Sequence, residues 1–185
     1  GTGVYSKGGN VTLNGKMTVG ANDAVGVFTK GAGQTVTANA GSTMTIGDSS
    51  FGFLNEGKGN TINSNIVSQT LGNDGTYIYS SDKSGTVNNN TTLTSTGSYN
   101  YGLYSAGYVV NNGNMNLSAG TGNVGVYSVN GGTIENISGA ITVGGSVPVN
   151  DEYGIGMAAG YTWTKKDLLK PVSQRPVQTT GNIIN

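Results

Sequence analysis

Apolar residues in this chain do not follow a helical spacing anywhere over about ten residues. They alternate with polar ones in short bursts, the period of strands with one face buried. The bursts come in threes. The first member of each triplet is a repeated word. Thr2-Gly3-Val4-Tyr5-Ser6 returns as Val25-Gly26-Val27-Phe28-Thr29, Phe51-Gly52-Phe53-Leu54-Asn55 and Thr76-Tyr77-Ile78-Tyr79-Ser80. It returns again as Tyr101-Gly102-Leu103-Tyr104-Ser105 and Val124-Gly125-Val126-Tyr127-Ser128, with a weaker copy at Tyr153-Gly154-Ile155-Gly156-Met157. The second position of the word falls at 3, 26, 52, 77, 102, 125 and 154, so the spacings are 23, 26, 25, 25, 23 and 29 residues.

Two shorter segments follow each word. The pairs are Val11–Leu13 with Met17–Val19, Thr35–Thr37 with Met44–Ile46, and Thr61–Asn63 with Ile66–Ser68. Then come Thr86–Asn88 with Thr92–Thr94, Val109–Val110 with Met115–Leu117, and Thr133–Ile134 with Ile141–Val143. Three strands and three turns per repeat cannot bury an apolar face alone, but stacked repeats can. A sandwich or barrel does not need the same word every 25 residues. The pattern therefore predicts an all-β, right-handed parallel β-helix of three-strand coils, about seven rungs of ~25 residues. It forms one solenoid over 1–185, a rod roughly 30 Å long at the usual strand spacing.

Stacking turns repeat positions into columns. Val4, Val27, Phe53, Ile78, Leu103, Val126 and Ile155 predict a core column, with Val25, Phe51 and Val124 repeating the signal two positions earlier. Tyr5, Phe28, Leu54, Tyr79, Tyr104 and Tyr127 form an aromatic column. Alternation points it outward beside a glycine column, as a flat stacking platform; a strand bending into a corner would bury part of it. Asp23, Asp48, Asp74, Asn100, Asn123 and Asp151 precede the word, and are read as turn formers rather than calcium ligands. Asn14, Asn39, Asn63, Asn88, Asn111 and Asn136 read the same way at the second corner, and Lys7, Lys30, Lys58 and Lys83 as a solubilising row. Glu56 and Asp82 are expected to pair with Lys58 and Lys83.

The repeat breaks between Met157 and Val177, so an inserted loop is expected at 158–176, after which Val177 to Asn185 resumes the second and third segments. The loop holds the sole Trp, Trp163, and four of the nine basic residues. Insertions in solenoids map to outside loops, and Trp, Tyr and Arg anchor interfaces. Tyr161, Trp163, Lys165, Lys166, Lys170 and Arg175 are accordingly the candidate binding residues. The competing reading is that the loop packs on a neighbouring subdomain.

Composition narrows the function. Of 185 residues 33 are Gly, none is Cys or His, and only 10% are charged, with a net charge of zero; about 25% charged is usual. Zero net charge argues against a nucleic-acid footprint, which needs a dense field of Lys and Arg. Without Cys or His there is no thiolate metal site and no His-based triad, and the nine acidic residues are scattered, so no enzyme, cofactor or metal centre is expected. No segment has the form of a signal peptide or of an apolar span of ~20 residues, so export signal and membrane anchor are expected outside this chain.

The word G-V-Y-S, the Gly/Asn turns, the T-V or T-I strands and the N-N-G corners together resemble the passengers of large type V autotransporter adhesins of oral anaerobic, fusobacterial-type Gram-negative bacteria. The resemblance runs from Thr2 to Asn185. It implies a Sec signal, many such coils, and a C-terminal outer-membrane barrel through which alone the protein would meet the membrane. It also implies display on the cell surface and attachment to protein or glycan receptors on host cells or other bacteria. A carbohydrate-active β-helix, of lyase or tailspike type, and a two-partner secreted haemagglutinin are the alternatives.

Overall fold

The computed structural model describes residues 1–185 as a parallel β-solenoid. The seven copies of the repeated word form one seven-stranded sheet: Thr2–Ser6, Val25–Thr29, Phe51–Asn55, Thr76–Ser80, Tyr101–Ser105, Val124–Ser128 and Ile155–Ala159. The second segments form another: Val11–Leu13, Thr35–Ala38, Thr61–Ser64, Thr86–Asn89, Tyr108–Asn111, Thr133–Asn136 and Asn182–Ile184. Every named pairing is parallel and joins a strand to its counterpart one coil away, which is why the sequence word recurs. Six coils carry three strands each, and a seventh contributes Ile155–Ala159 and Asn182–Ile184. The expected resumption at Val177 is therefore corrected: Val177 is exposed, and the chain rejoins the second sheet only at Asn182.

The third sheet is interrupted. Lys16–Val19 pairs with Thr43–Ile46, and a separate four-stranded ladder holds Ser68–Leu71, Thr92–Ser95, Met115–Thr121 and Ile141–Gly145. The expected strand Ile66–Ser68 lies two residues too early. Ile66 is buried at the corner, Val67 points to solvent, and Gln69 takes the inner place opposite Leu93. A side-chain amide thus occupies a position that Met17, Met44, Leu93 and Met115 fill elsewhere, and its Oε1 has no partner. Two apolar residues in a row gave the alternation no unique phase, and a core Gln is invisible to it.

The core is one column of side chains: Val27, Phe53, Ile78, Leu103 and Val126 from the first sheet, Val36, Ile62, Val87, Val109 and Ile134 from the second, and Met44, Leu93, Met115 and Leu117 from the third. Two registers differ from the sequence reading. Met157, not Ile155, lies opposite Val126, while Ile155 lies opposite Val124. Val25 and Val124 are buried but stand outside the central core cluster, and Phe51 is half-buried. Residues two before and one after the core position share the outer face, as the edge contacts of Phe51 with Tyr79 and of Tyr101 with Tyr104 require. The glycines point inward. A Cβ on Gly26 or Gly52 would stand 2.5 or 2.6 Å from the next coil's carbonyl oxygen, so the coils approach where no side chain intervenes.

The Asx columns also resolve differently. Asp23, Ser49, Asp74 and Tyr99 share one position, each with positive φ (61, 55, 52 and 63°). Asp48 sits one position earlier, accepting the backbone N–H of Asn73 at 2.8 Å. Asn100 and Asn123 sit one position later, buried and bonded to each other at 3.1 Å. The second-corner asparagines are three ladders, not one. Asn39 donates to Asn14, and Asn90 to Asn65, on the exposed corner. Asn88 donates to Asn63 on the strand face. A further ladder runs Asn89, Asn111, Asn136 and Asn185 at 2.8–2.9 Å per step. Variable turn lengths, which make the coils 23 to 26 residues long, shift sequence spacing against spatial register. The lysine row splits for the same reason: Glu56 pairs with Lys30 of the preceding coil at 3.4 Å rather than with Lys58.

Candidate functional site

The aromatic column stands on the outer face of the first sheet in the register Tyr5, Phe28, Leu54, Tyr79, Tyr104, Tyr127. Strands one hydrogen bond apart force these rings into contact. Tyr79 stacks on Tyr104 with centroids 4.8 Å apart and planes 14° off parallel, and Tyr104 meets Tyr127 at 5.2 Å. Tyr101 adds an edge contact to Tyr104 at 5.7 Å. The column is outward, as alternation required, and each ring partly covers the next. The platform's second row is Phe51 and Tyr101, not the inward glycines. Burial raises the Tyr104 and Tyr127 hydroxyls to about 12, neighbouring tyrosines adding to the effect, so both remain protonated donors through neutral and mildly alkaline pH.

Two excursions close over the C-terminal end of this face. The first is a hairpin between the last third-sheet strand and Ile155–Ala159. Val147 and Glu152 pair in an antiparallel bridge around a short 3-10 turn at Pro148–Asn150, and Asp151 adopts φ 57°. These extra residues produced the 29-residue spacing. The second excursion leaves the coil at Gly160 and returns at Thr180, where the coil before it needs only Val129–Gly132. Ala158 and Ala159, expected in the loop, belong to the strand. Tyr161 and Thr179 pair in an antiparallel bridge at its neck.

Inside the second excursion the backbone is fixed by side chains. Thr164 caps the helical turn Lys165–Leu168 in a reciprocal capping box with Asp167. Asp167 is buried. Its carboxylate accepts from Lys170 Nζ at 2.8 Å and from the Tyr161 hydroxyl. Lys170 and Tyr161 hold this carboxyl far below the usual range, while the same hydrogen bond pushes Tyr161 up to about 12.

Of the six predicted binding residues, Tyr161 and Trp163 line a cleft, and three of the four cations have other duties. Arg175 lies 4.9 Å from the Trp163 ring and donates to the carbonyls of Lys170 and Leu168 at 3.0 and 3.1 Å. The Trp163 indole N–H donates to Pro176 O at 2.7 Å. Lys165 ties the two excursions together. Its backbone N–H reaches Asp151 Oδ2 at 2.6 Å, and its Nζ sits 2.9 Å from Pro148 O and 3.7 Å from Asp151 Oδ1. Lys166 alone is exposed with no hydrogen bond or ion pair in the protein.

The cleft encloses about 450 Å³ between the sheet and both excursions. Tyr101, Tyr104 and Tyr127 form its sheet wall, and Tyr153, Tyr161 and Trp163 close it. Asp151 is its one charged lining residue. A second cleft of about 420 Å³ shares Tyr101, Asp151 and Tyr153 and continues toward Tyr99, Asp74 and Glu152. Three carboxylates and no base line this second cleft as a whole. No group of three or more acidic side chains is placed to hold a metal. Tyr104 and Tyr127 fall in the column that the repeat predicts, whereas Tyr101 and Tyr153 join them without being predicted; the signal for them is the long last spacing with Pro148 inside it. The outer side of the insertion exposes Leu168, Leu169, Val172 and Val177, the feature that the packing alternative requires.

The chain matches no protein-family model, no curated protein and no solved structure. Its classification rests on the fold, a parallel β-helix of repeated coils.

Proposed function

We propose that this chain is a rod segment of a surface-displayed autotransporter passenger, and that it acts as an adhesin through its C-terminal excursions. The observation that carries the reading is the cleft. Six coils repeat one structural unit with a continuous core, a form suited to extension and to resisting proteases. At one end, two irregular segments converge on the same exposed aromatic face and enclose a cavity. Loops held on a rigid scaffold are where binding residues concentrate. The receptor belongs to a host cell or another bacterium, and attachment to the membrane is through a barrel outside this chain.

The test is adhesion of the purified chain to intact epithelial and bacterial cells, beside a Trp163→Ala variant with an unchanged melting profile. Saturable binding by the parent and its loss in the variant supports adhesion through the cleft. Absence of binding by the parent to every cell type makes the segment a spacer.

The convergence of Asp74, Asp151 and Glu152 on one cleft favours a second reading, a carbohydrate-active β-helix. Release of new reducing ends from oligosaccharides, abolished by Glu152→Gln, would replace the adhesin reading with that one.

A further inference from the structure

We propose that the cleft between the tyrosine face and the two excursions binds a neutral oligosaccharide, and that it discriminates against sialylated and sulfated glycans. The inference rests on the adhesive reading of the same site and names its ligand class.

The first argument is the chemistry of the walls. A pyranose presents C–H faces that pack on aromatic rings and an equatorial rim of hydroxyls that needs donors and acceptors. Tyr104 and Tyr127 present adjacent rings from neighbouring coils, with Trp163 across the cleft. Arg175 stacks on the indole and Pro176 O accepts its N–H, so this wall is held before any ligand arrives. The Tyr101, Tyr104 and Tyr127 hydroxyls find no hydrogen-bond partner in the protein, and burial keeps them protonated, able both to donate and to accept. Free phenols around stacked rings suit a polyhydroxylated ligand better than a purely apolar one.

The second argument is charge. Asp151, the only charged side chain lining the aromatic lobe, is engaged by the Lys165 backbone N–H and lies 3.7 Å from its ammonium. The lobe therefore carries no free charge to attract a methylated ammonium ion. The adjoining lobe adds the carboxylates of Asp74 and Glu152 without a single Lys or Arg in its lining, and repels carboxylated or sulfated sugars. The third argument is size. The two lobes share Tyr101, Asp151 and Tyr153 and measure about 450 and 420 Å³. Each falls within the ~300–1,000 Å³ typical of small-ligand sites, and the continuous trough fits more than one sugar ring.

Trp163 is the only tryptophan, so its emission reports on this cleft alone. The experiment is a fluorescence titration of the whole chain with neutral oligosaccharides, their sialylated and sulfated counterparts, and tetramethylammonium, the neutral hits being chosen on a glycan array. The expected result is a saturable spectral change with a neutral glycan. Tyr104→Ala weakens it about tenfold, the worth of one aromatic contact. Tyr127→Phe, which keeps the ring and the fold, weakens it a few-fold by removing one hydroxyl. Tyr5→Ala, in the same column at the far end of the rod, leaves it unchanged. The proposal is overturned if no neutral glycan binds, if acidic glycans or tetramethylammonium bind as well or better, or if Tyr5→Ala is as damaging as Tyr104→Ala. Adhesion to cells that excess neutral glycan cannot compete away would sink the glycan assignment and leave the adhesive reading standing. Glycan binding without adhesion to any cell would do the reverse.

Discussion

The coils and the excursion they carry are held by opposite means. Between Val25 and Asn136 the chain is organised by burial: successive core positions are closed to solvent, and each backbone hydrogen-bonds to the next coil. From Gly160 to Gly181 the only buried side chain is a carboxylate, Asp167. That segment keeps its shape through a capping box, a Lys170 ion pair, the Tyr161 hydrogen bond and the Arg175–Trp163 stack. A solenoid distributes its stability along a line of nearest neighbours. An excursion with no apolar core can leave it without disturbing it, and depends on a few polar contacts that solvent or pH can loosen. The rod supplies rigidity and the excursion supplies chemistry.

The largest effect should come from the rod. Leu103→Ala removes a fully buried side chain at mid-column and should cost about 3 kcal/mol in chemical denaturation, with the excursion melting in the same transition. Gly26→Ala should cost about 2 kcal/mol, because its Cβ would meet Gly52 O at 2.5 Å and prise two coils apart. Asn111→Ala breaks the inner ladder, taking one of two acceptors from the Asn89 amide and the donor from Asn136 Oδ1, for about 1–2 kcal/mol.

Changes in the excursion should leave the rod alone. Asp167→Asn should shift Trp163 emission toward that of a solvated indole while the far-UV spectrum and denaturation midpoint stay put. Acid should do the same to the parent chain. The folded pKa of Asp167 is depressed, so its contribution is complete above the ordinary carboxylate value of about 3.9 and is lost as pH falls toward the folded one. Loosening of the excursion should therefore begin below about pH 4. In the coils the depressed carboxylates, Asp48 and Asp82, accept from Asn73 and Ser84 at turns, so acid should loosen those turns while the rod, whose core holds no carboxylate, persists. At the alkaline end the sign reverses. Tyr161 is raised to about 12, so its bond is intact below pH 10 and is lost as pH climbs through 12. Smallest of all, Lys166→Ala should change neither stability nor Trp163 emission, since the ammonium has no partner in the protein.

The coil architecture was legible because parallel stacking repeats a word: Val27, Phe53, Ile78 and Leu103 could be aligned by eye and fall into register. Corner columns were not, since a turn can gain or lose a residue without altering composition. Asp23, Asp48 and Asn100 looked equivalent and occupy three positions. The excursion was legible as a break in period and as a concentration of Trp, Tyr and basic residues. Its internal roles were not, because Lys165 and Arg175 find their partners in Asp151 and Trp163 only after the chain has turned back on itself, and Lys170 meets Asp167 three residues away only once the helical turn forms. The Pro148 hairpin that completes the cleft left no trace beyond a spacing of 29 instead of about 25.

The most direct test of the division between rod and excursion is to excise it at its neck. Gly160 and Thr180 approach closely enough that the strand Ile155–Ala159 can be rejoined to Asn182–Ile184 by a short turn in place of Tyr161–Thr179. The variant is then measured for denaturation midpoint and for binding to cells and neutral glycans. The expected result is a rod within about 1 kcal/mol of the parent, the range of changes that leave the core intact, and no binding. A rod that unfolds, or a truncated rod that still binds, would contradict it.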